Sequence, residues 1–397
     1  MTEPYSTADN STRRPPRALV AGGSLAGLFA GTLLHQQGWD VDIFERSAHS
    51  LESQGAGLVQ QADLVRALRA LGIASVGSLG VTAFERVTLN RDGSFADQDR
   101  SHQTQHAWDS LYRILRQRFP EAHYHLNSAV TGFTQDAVSV TLTLADGGKA
   151  TGDLLIAADG TLSALRGLLA PETAPRYAGY VAWRGLIPES LLTGRAKAAL
   201  AGRFAFYRYD GSHILGYLIP GPNGETAEGA RRYNWVWYRQ AATQAEIDRL
   251  LTDRQGVRHA VSMPPNGLDP AVVTALQTDA GTLLPPPLAD AVAATRAPFI
   301  QAIQDLESPR LAFGRIALIG DAASVVRPHT AMGIDKAAGD AFYLAEALVT
   351  PDDVAAEDKV PAALKAWEPD RLAHARAIAA HGRRLGAPLE PRVASES

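Results

Sequence analysis

The 397-residue sequence contains no cysteine. This absence excludes disulfides, thiolate metal ligands, cysteine nucleophiles and redox-active dithiols. The net charge is only −4, and the lysines and arginines are scattered, so nothing in the charge pattern favours nucleic acid as a partner. No apolar run approaches the length of a membrane span, and the N-terminal MTEPYSTADNSTRRPP lacks the apolar core of a signal peptide. We therefore expect a cytoplasmic protein without membrane partners, and a disordered arm over residues 1–16.

The first informative motif of the sequence is a glycine-rich turn between a strand and a helix. The apolar strand Arg17–Ala21 runs into GGSLAG (22–27), an apolar helix follows, and a second strand covers Val41–Glu45. In such a strand–helix–strand unit the helix N-terminus holds a dinucleotide pyrophosphate. Ser24 replaces the middle glycine of the usual fingerprint, but its hydroxyl can donate to a phosphate. Glu45 lies at about the distance expected for the acid that binds the adenosine ribose.

Two later strands end where an acid adjoins a glycine. Leu154–Ala158 precedes Asp159-Gly160, and Ile316–Ile319 precedes Gly320-Asp321, after which an alanine-rich helix starts at Gly333. A carboxylate there can bind a ligand hydroxyl, and the free N–H groups at a helix start can face an anionic atom. Ordinary turns are the alternative at both places. Gly55-Ala56-Gly57 has no strand before it, so we interpret it as a loop lining the ligand.

Four histidines lie around a predicted helix at Trp108–Phe119. Their spacing resembles that of metal ligands, but no acidic residue lies in register with them in the sequence. We therefore predict no metal site and expect solvent-facing or capping side chains at His102, His106, His123 and His125.

Aromatic, alternating strands then replace the nucleotide-binding pattern. They are expected at Tyr177–Ile187, Arg203–Tyr209, His213–Ile219 and Arg231–Arg239. An antiparallel sheet of this kind can bury one face against helices and offer the other to a flat aromatic substrate, although both faces could simply be core. The predicted fold class is α/β, with a discontinuous Rossmann-like domain (17–175 and 298–348), an inserted α+β substrate domain (176–297) and a C-terminal helical segment (349–397).

The three turns together resemble the FAD-dependent aromatic hydroxylases of the p-hydroxybenzoate hydroxylase fold. Further matching stretches are YAGYVAWRG (177–185), LLTDRQGVR (250–258) and RPHTAMG (327–333). The resemblance implies FAD as cofactor, NADH or NADPH as co-substrate, and transfer of hydroxyl from a flavin C4a-hydroperoxide to an electron-rich aromatic or hydroxypyridine ring. It also allows a homodimer. The cofactor-binding residues that it implies are Gly22, Ser24, Leu25, Ala26, Gly27, Glu45, Arg46, Gly57, Val130, Asp159, Gly160, Gly320, Asp321, Pro328, Met332 and Gly333. Members of the family have an arginine that contacts the flavin just before the helix containing Leu111. This sequence has Trp108-Asp109-Ser110 there, so we assign no such contact.

Hydroxylation is faster when a base deprotonates a hydroxyl of the ring. The candidates are His329 and His213, with Tyr217 as hydrogen-bond partner; a structural hydrogen bond is the alternative for each histidine. The residues predicted to bind substrate are Trp183, Arg184, Tyr217, Trp235, Trp237, Pro328 and His329.

Some assignments remain open between alternatives. Arg184 and Arg327 could bind an anionic ring or the nicotinamide nucleotide, and Lys336 could pair with the cofactors or reach solvent. A flavin halogenase is disfavoured because Trp235-Val-Trp237 continues as Tyr-Arg rather than with the halogenase motif. The remaining alternatives are another flavoprotein oxidoreductase on this fold and an FAD- or ligand-binding protein without turnover.

Overall fold

The computed structural model describes residues 14–51, 56–73, 75–348 and 359–391. Most of the predicted arm, Gly55 and the start of the predicted C-terminal segment lie outside these ranges. The strands are β1 (Arg17–Ala21), β2 (Asp40–Phe44), β3 (Gly57–Val59), β4 (Val81–Ala83), β5 (Glu85–Leu89), β6 (Phe95–Asp99), β7 (Gln103–Ala107), β8 (Tyr124–His125), β9 (Val130–Gln135), β10 (Val140–Leu144), β11 (Lys149–Gly152), β12 (Leu154–Ala157), β13 (Arg176–Pro188), β14 (Arg203–Tyr209), β15 (Ser212–Ile219), β16 (Arg232–Gln240), β17 (Ser262–Met263), β18 (Phe299–Glu307), β19 (Ala312–Phe313), β20 (Ile316–Leu318) and β21 (Ser324–Val325).

The α-helices among the described residues bring the remaining segments onto these strands. They are α1 (Leu25–Gln36), α2 (Ala62–Ala70), α3 (Trp108–Arg118), α4 (Ala164–Leu169), α5 (Gly194–Leu200), α6 (Gln244–Leu251), α7 (Pro270–Leu283), α8 (Pro286–Ala293), α9 (Gly320–Ala323), α10 (Gly333–Ala347) and α11 (Lys359–Gly386). Within the described ranges, none of these helices combines the length and apolar character that crossing a bilayer requires.

The first sheet gathers the three predicted turns at one edge. Its strand order is β19-β20-β12-β1-β2-β8, and β20, β12, β1 and β2 run parallel. These strands are buried because α1 packs on β1 and β2, and the three-stranded antiparallel sheet β11-β10-β9 packs on β1 and β12. Their carboxyl ends therefore lie side by side, which confirms the Rossmann-like fold and brings residues 22–27, 159–160 and 320–321 to one edge.

The second sheet contains the four predicted strands, the minimum expected from the sequence, and five others. Its order is β17-β18-β13-β16-β15-β14-β5-β6, with β21 paired to β18. The four predicted strands lie at its centre. β5 joins in parallel beside β14, and β18 pairs antiparallel with β13. The predicted domain boundary at residue 298 thus falls just before a strand that still belongs to the second sheet.

The last helix, α11, packs on α10 and carries a buried ion-pair network. Arg371 Nε donates to Asp340 Oδ1 over 2.9 Å, and its Nη1 lies 3.5 Å from Asp63 Oδ2. All three residues are buried. The network joins α11 to α10 and α2, two of the helices beside the first sheet.

Candidate active site

A cavity of about 830 Å³ lies between the two sheets. One side is formed by the turns at the edge of the first sheet, and the other by one face of the second sheet. The lining residues from the first side include Ser24, Leu25, Ala26, Gly160, Asp321, Pro328 and Gly333. Both halves of the predicted site therefore open into one space.

The glycine-rich turn lets α1 begin close against β1 and β12. Gly22 has φ +105°, a left-handed conformation that favours glycine, and its N–H donates to the Phe44 carbonyl over 2.8 Å. A Cβ at Gly27 would collide with the carbonyl oxygen of Gly22. The first N–H groups of α1 have no partner within the helix and carry its positive dipole end. Since Leu25 and Ala26 line the cavity, this helix start fits the pyrophosphate of a dinucleotide.

Glu45 is fixed beside that turn. Its Oε2 accepts the Gly23 N–H and its Oε1 the Ser47 N–H, each over 2.8 Å. Arg46 is exposed and Val130 packs partly buried against the main core. Like Glu45 itself, neither of these two side chains lines the cavity, and neither is fixed to the glycine-rich turn as Glu45 is.

Asp159 has a structural role in the turn after β12. Its carboxylate accepts from the Ser163 hydroxyl over 2.5 Å and from the Leu165 N–H over 3.3 Å, at the start of α4. The neighbouring Gly160 lines the cavity. The alternative of an ordinary turn thus accounts for the Asp159 contacts, while the backbone beside it is open to a ligand.

Asp321 is open to the cavity, as predicted for a ligand-facing acid. It lies deep in the cleft, where burial raises its pKa; the charge of Lys336 and a hydrogen bond from Thr161 oppose that rise. Lys336 itself contradicts both alternatives considered from the sequence. It is fully buried, and its Nζ lies 2.8 Å from the Gly320 carbonyl and 3.2 Å from Asp340 Oδ2. The lysine therefore fixes the Gly320-Asp321 turn to α10.

The loop between β21 and α10 is held by a side chain from the start of α2. Gln61 Nε2 donates to the carbonyls of Thr330 and Ala331 over 3.2 and 3.0 Å. Pro328 and Gly333 line the cavity, whereas Met332 is not among the lining residues and packs against Val326 and its neighbours.

Gly57 brings the two sides of the cavity together. A Cβ there would stand 2.5 Å from the Tyr217 ring, and the Gly57 N–H donates to Asn234 Oδ1 over 3.3 Å. Only a residue without a side chain fits between this loop and the second sheet. Its position supports the interpretation of the predicted loop as part of the ligand-binding wall.

The cavity face of the second sheet is aromatic and basic. The side chains that line the cavity from this sheet are Arg86, Arg184, Phe204, Phe206, Arg208, His213, Leu215, Tyr217, Val236, Tyr238, Phe299 and Gln301. Aromatic rings stack both across and along the strands: the ring centroids of the cross-strand pair Phe204 and Tyr217 are 4.5 Å apart, and those of Phe204 and Phe206 on β14 are 4.7 Å apart. His213, Leu215 and Tyr217 share this face as the alternation of β15 predicted.

The three tryptophans predicted to bind substrate do not line this cavity. Trp183, Trp235 and Trp237 project to the opposite face and are buried in a second core with α5 to α8. Trp235 donates its indole N–H to Thr295 over 2.8 Å, so its polar atom is satisfied there. The substrate-binding prediction is wrong for these residues, because the alternate positions of β13 and β16, among them Arg184 and Val236, face the cavity instead.

His329 and His213 both face the cavity and remain neutral at physiological pH. The Tyr180 hydroxyl lies 2.8 Å from His329 Nε2, and the Tyr238 ring centroid is 4.2 Å from that of His329. Burial, reinforced by nearby arginines, lowers the pKa of each histidine to about 3. Burial also raises the pKa of Tyr217 and raises that of Tyr238 to about 12.

The two arginines considered as ligands have different environments. Arg327 is buried and committed to ion pairs with Asp305 and Glu390, each with a shortest distance of 2.5 Å. This contradicts a role for Arg327 in ligand binding. Arg184 lines the cavity, and its Nε is buried without a hydrogen-bond partner in the described part of the chain. Arg184 therefore keeps its charge available to a ligand.

The histidines outside the cavity differ from the prediction in part. His123 Nδ1 and His125 Nε2 lie 3.2 and 2.8 Å from Asp42 Oδ1, an acid contributed by β2. Asp40, Asp42 and His123 are close enough to hold an ion, but Arg17 already pairs with Asp42 over 2.7 Å. His106 is fully buried beside Gln60, so it is neither solvent-facing nor a cap.

Several residues of the site were not predicted from the sequence. Tyr238 and Gln61 line the cavity, and the buried Tyr180 lies beside His329; the strand pattern contains a signal for the two tyrosines. Tyr180 has the same parity in β13 as Arg184, and Tyr238 pairs with His213 across β15 and β16. Gln61 has no such signal, because its acceptors lie 269 and 270 residues further along the chain.

Comparison with known proteins identifies the class. The family model described as "FAD binding domain" matches residues 17–190 and 302–381, and a model described as "FAD binding domain-like" matches 177–305. The chain belongs to this FAD-binding family and is an FAD-dependent aromatic-ring monooxygenase. The predicted recognition, fold and enzyme class are thereby confirmed.

Individual relatives act on hydroxylated nitrogen heterocycles, according to their names. The chain is 34% identical over 361 residues to 2,6-dihydroxypyridine 3-monooxygenase of Paenarthrobacter nicotinovorans, covering 90% of this chain and 87% of that protein. It is 27% identical to 6-hydroxynicotinate 3-monooxygenase of Pseudomonas fluorescens, covering 84% and 82%. The solved structure of 2,6-dihydroxypyridine-3-hydroxylase from Arthrobacter nicotinovorans superposes with a TM-score of 0.87 at 30% identity, covering 96% of this chain and 95% of that one.

Proposed function

We propose that this monooxygenase uses NADH or NADPH and O₂ to hydroxylate an electron-rich hydroxylated ring, with hydroxypyridines as the first substrate class to test. One observation carries the proposal. The turns that fit a dinucleotide and an aromatic, basic sheet face line the same cavity. Both named relatives act on hydroxylated pyridine rings, which supports this choice of class.

The residues at the edge of the first sheet fit FAD. The start of α1 would hold the pyrophosphate, Glu45 the adenosine ribose, and Asp321 a hydroxyl of the ribityl chain. Pro328 and Gly333 would frame the flavin ring, and the N–H groups at the start of α10 would favour negative charge beside it. Held by these residues, FAD would supply the redox chemistry that couples NAD(P)H oxidation to the activation of O₂.

Positive charge on the substrate side favours the deprotonated ring. Asp321 is the one acid among the described residues that line the cavity, and Arg184 faces the substrate with a free Nε. A nearby cation lowers the pKa of a ring hydroxyl, and the resulting anion donates electrons more strongly to the attacked carbon. Arg184 would thus hold the ring in its reactive form.

His213 and His329 would act as neutral hydrogen-bond partners of the substrate. An imidazole with a pKa of about 3 is a weak proton acceptor at pH 7, which argues against either one as a strong base. The Tyr180 hydroxyl would fix the orientation of the His329 ring. Tyr217 would complete the hydrogen-bonding set beside the ring.

The aromatic wall would keep water from the reacting centre. The cavity wall opposite the cofactor side carries four aromatic side chains of the second sheet: Phe204, Phe206, Tyr217 and Tyr238. Excluding water protects the activated oxygen from loss before it reaches the substrate.

The test is to purify the protein, measure its FAD content, and follow NAD(P)H oxidation with and without a panel of phenols and hydroxypyridines. We expect a yellow protein whose NAD(P)H oxidation is stimulated by hydroxypyridines, and a product that takes up one oxygen atom from ¹⁸O₂. FAD-loaded protein that shows no ring-stimulated oxidation across the panel would contradict the proposal and favour a ligand-binding protein without turnover.

A further inference from the structure

The outer edge of the cavity face carries two arginines that share one aromatic ring. Arg86 on β5 and Arg208 on β14 have their guanidinium carbons 4.3 and 5.8 Å from the centroid of Phe206. Both line the cavity, and both are exposed at its margin. They thus form a cationic pair at the side of the cavity farthest along the sheet from β18.

Within the described residues, neither guanidinium forms an ion pair or a hydrogen bond with a carboxylate. Asp99 exerts a weak electrostatic attraction on Arg86, but burial and the charge of Arg208 lower the pKa of Arg86 more strongly. Two like charges placed together without a close counter-ion repel each other. An anion between them would remove that repulsion, and a guanidinium matches a carboxylate with two parallel hydrogen bonds.

A third group faces the same place. His213 is the cross-strand partner of Arg208, and its ring stacks on Phe206 with centroids 5.8 Å apart. Its Nε2 is buried and has no hydrogen-bond partner in the described part of the chain. A neutral imidazole with its proton on Nε2 would donate to an anionic oxygen held by the arginines.

We propose that Arg86, Arg208 and His213 bind an acidic substituent of the substrate, so that the preferred ring carries a carboxylate directed towards this edge. The inference rests on the proposed function and narrows its substrate class. Arg184, on the far side of β15 and β16, remains the partner of the ring anion. The two cationic sites would together select a hydroxylated ring with two separated negative groups.

The experiment compares acids with their amides, which match them in size but lack the charge. FAD-loaded enzyme without reductant is titrated with 6-hydroxynicotinate and 6-hydroxynicotinamide, and with two further carboxylate–carboxamide pairs of hydroxypyridine that differ in ring position. Binding is followed by the flavin absorbance. We expect at least one acid to bind about tenfold more tightly than its amide, as charged hydrogen bonds predict. Equal affinities for all three pairs would overturn the proposal.

Variants then test whether Arg86 and Arg208 cause the preference for the acid over the amide. In R86Q/R208Q the acid-to-amide affinity ratio should fall to near one, whereas R86K/R208K should retain a preference because the charge remains. R69Q is the matched control, since Arg69 is an exposed arginine on α2 outside the cavity wall, and its ratio should equal that of the unmodified protein. FAD content and circular dichroism establish that each variant is folded.

A second experiment distinguishes whether the arginine pair binds the substrate or the nicotinamide nucleotide, whose phosphates are also anionic. If R86Q/R208Q raises the KM for NADH or NADPH and leaves the acid-to-amide ratio unchanged, the pair serves the reductant and the proposal is overturned. Because the titration requires no turnover, its outcome is independent of whether any ring is hydroxylated. Failure of the proposed function would instead appear as a missing ring-stimulated oxidation of NAD(P)H.

Discussion

Lys336 offers a direct test of how the Gly320-Asp321 turn is held. Its Nζ is fully buried between the Gly320 carbonyl, at 2.8 Å, and Asp340 Oδ2, at 3.2 Å. Replacing it by methionine keeps the approximate shape and removes the charge. Breaking a buried ion pair costs about 3–5 kcal/mol. Asp340 keeps its bonds from Arg371 Nε and the Gly320 N–H, so we expect the lower end, about 3 kcal/mol.

The assay is unfolding of the FAD-free protein by urea and by heat. An unfolding entropy of about 2.1 cal/mol/K per residue gives about 0.8 kcal/mol/K for 397 residues. A loss of about 3 kcal/mol therefore corresponds to a fall in Tm of about 4 °C.

The matched control is K365M, because Lys365 is an exposed lysine on α11, the helix that packs on α10. Its unfolding free energy should change by less than about 0.5 kcal/mol, as is usual for surface substitutions. If K336M were no more destabilising than K365M, the reasoning that Lys336 is a paired buried charge would be wrong.

Three further predictions concern the cofactor turn and the histidines. G27A should yield protein with little bound FAD, because its Cβ would collide with the Gly22 carbonyl; FAD released per mole of protein measures this, and normal content would contradict it. Y180F should lower kcat for hydroxylation about tenfold while FAD content is unchanged, since the hydrogen bond to His329 Nε2 is lost; an unaltered kcat would make that bond purely structural. Because the pKa of His213 and of His329 is lowered from 6.5 to about 3, the unfolded state binds more protons below pH 6.5. The free energy of unfolding should therefore fall from pH 7 to pH 5, and less steeply in H213Q/H329Q than in the unmodified protein; parallel profiles would refute the assignment.

The fold of the cofactor-binding side could be predicted because its sequence motifs are short and continuous along the chain. A strand, a glycine-rich turn and a helix follow one another within GGSLAG and its flanks, and parallel strands bring their carboxyl ends to one edge. Asp321 accordingly lines the cavity, and Glu45 lies beside the glycine-rich turn through its bond from the Gly23 N–H. The predicted roles of Arg46 and Val130 rested on resemblance alone and remain predictions.

The substrate-binding residues were predicted less well. The alternation of side chains along a strand shows which residues share a face, but it does not show which face meets the ligand. In β16 the period of two shows that Trp235 and Trp237 share a face, but both faces of the strand are buried and rich in large side chains. Nothing local distinguishes the face that packs on helices from the face that meets a ligand. The size of the tryptophans favours a contact with the ring, yet both belong to the core.

The predictions for the buried charged residues were wrong for a different reason, because the groups that these residues contact are distant in sequence. Arg327 pairs with Asp305 and Glu390, which lie 22 and 63 residues away. Lys336 has a partner four residues on in Asp340, but its burial depends on the Gly320 carbonyl, 16 residues earlier. Such contacts follow only from the tertiary arrangement.

The alternation along β16 also bears on how this enzyme could be altered. Asn234, Val236 and Tyr238 belong to the ligand-facing side, whereas the intervening tryptophans are packed in the second core. A mutant library restricted to the ligand-facing positions of β14, β15 and β16 would vary the chemistry of the pocket without touching that core. Randomising whole strands would also replace the buried tryptophans and leave destabilising cavities in the second core. The same separation would allow natural variants to acquire new substrates by single substitutions.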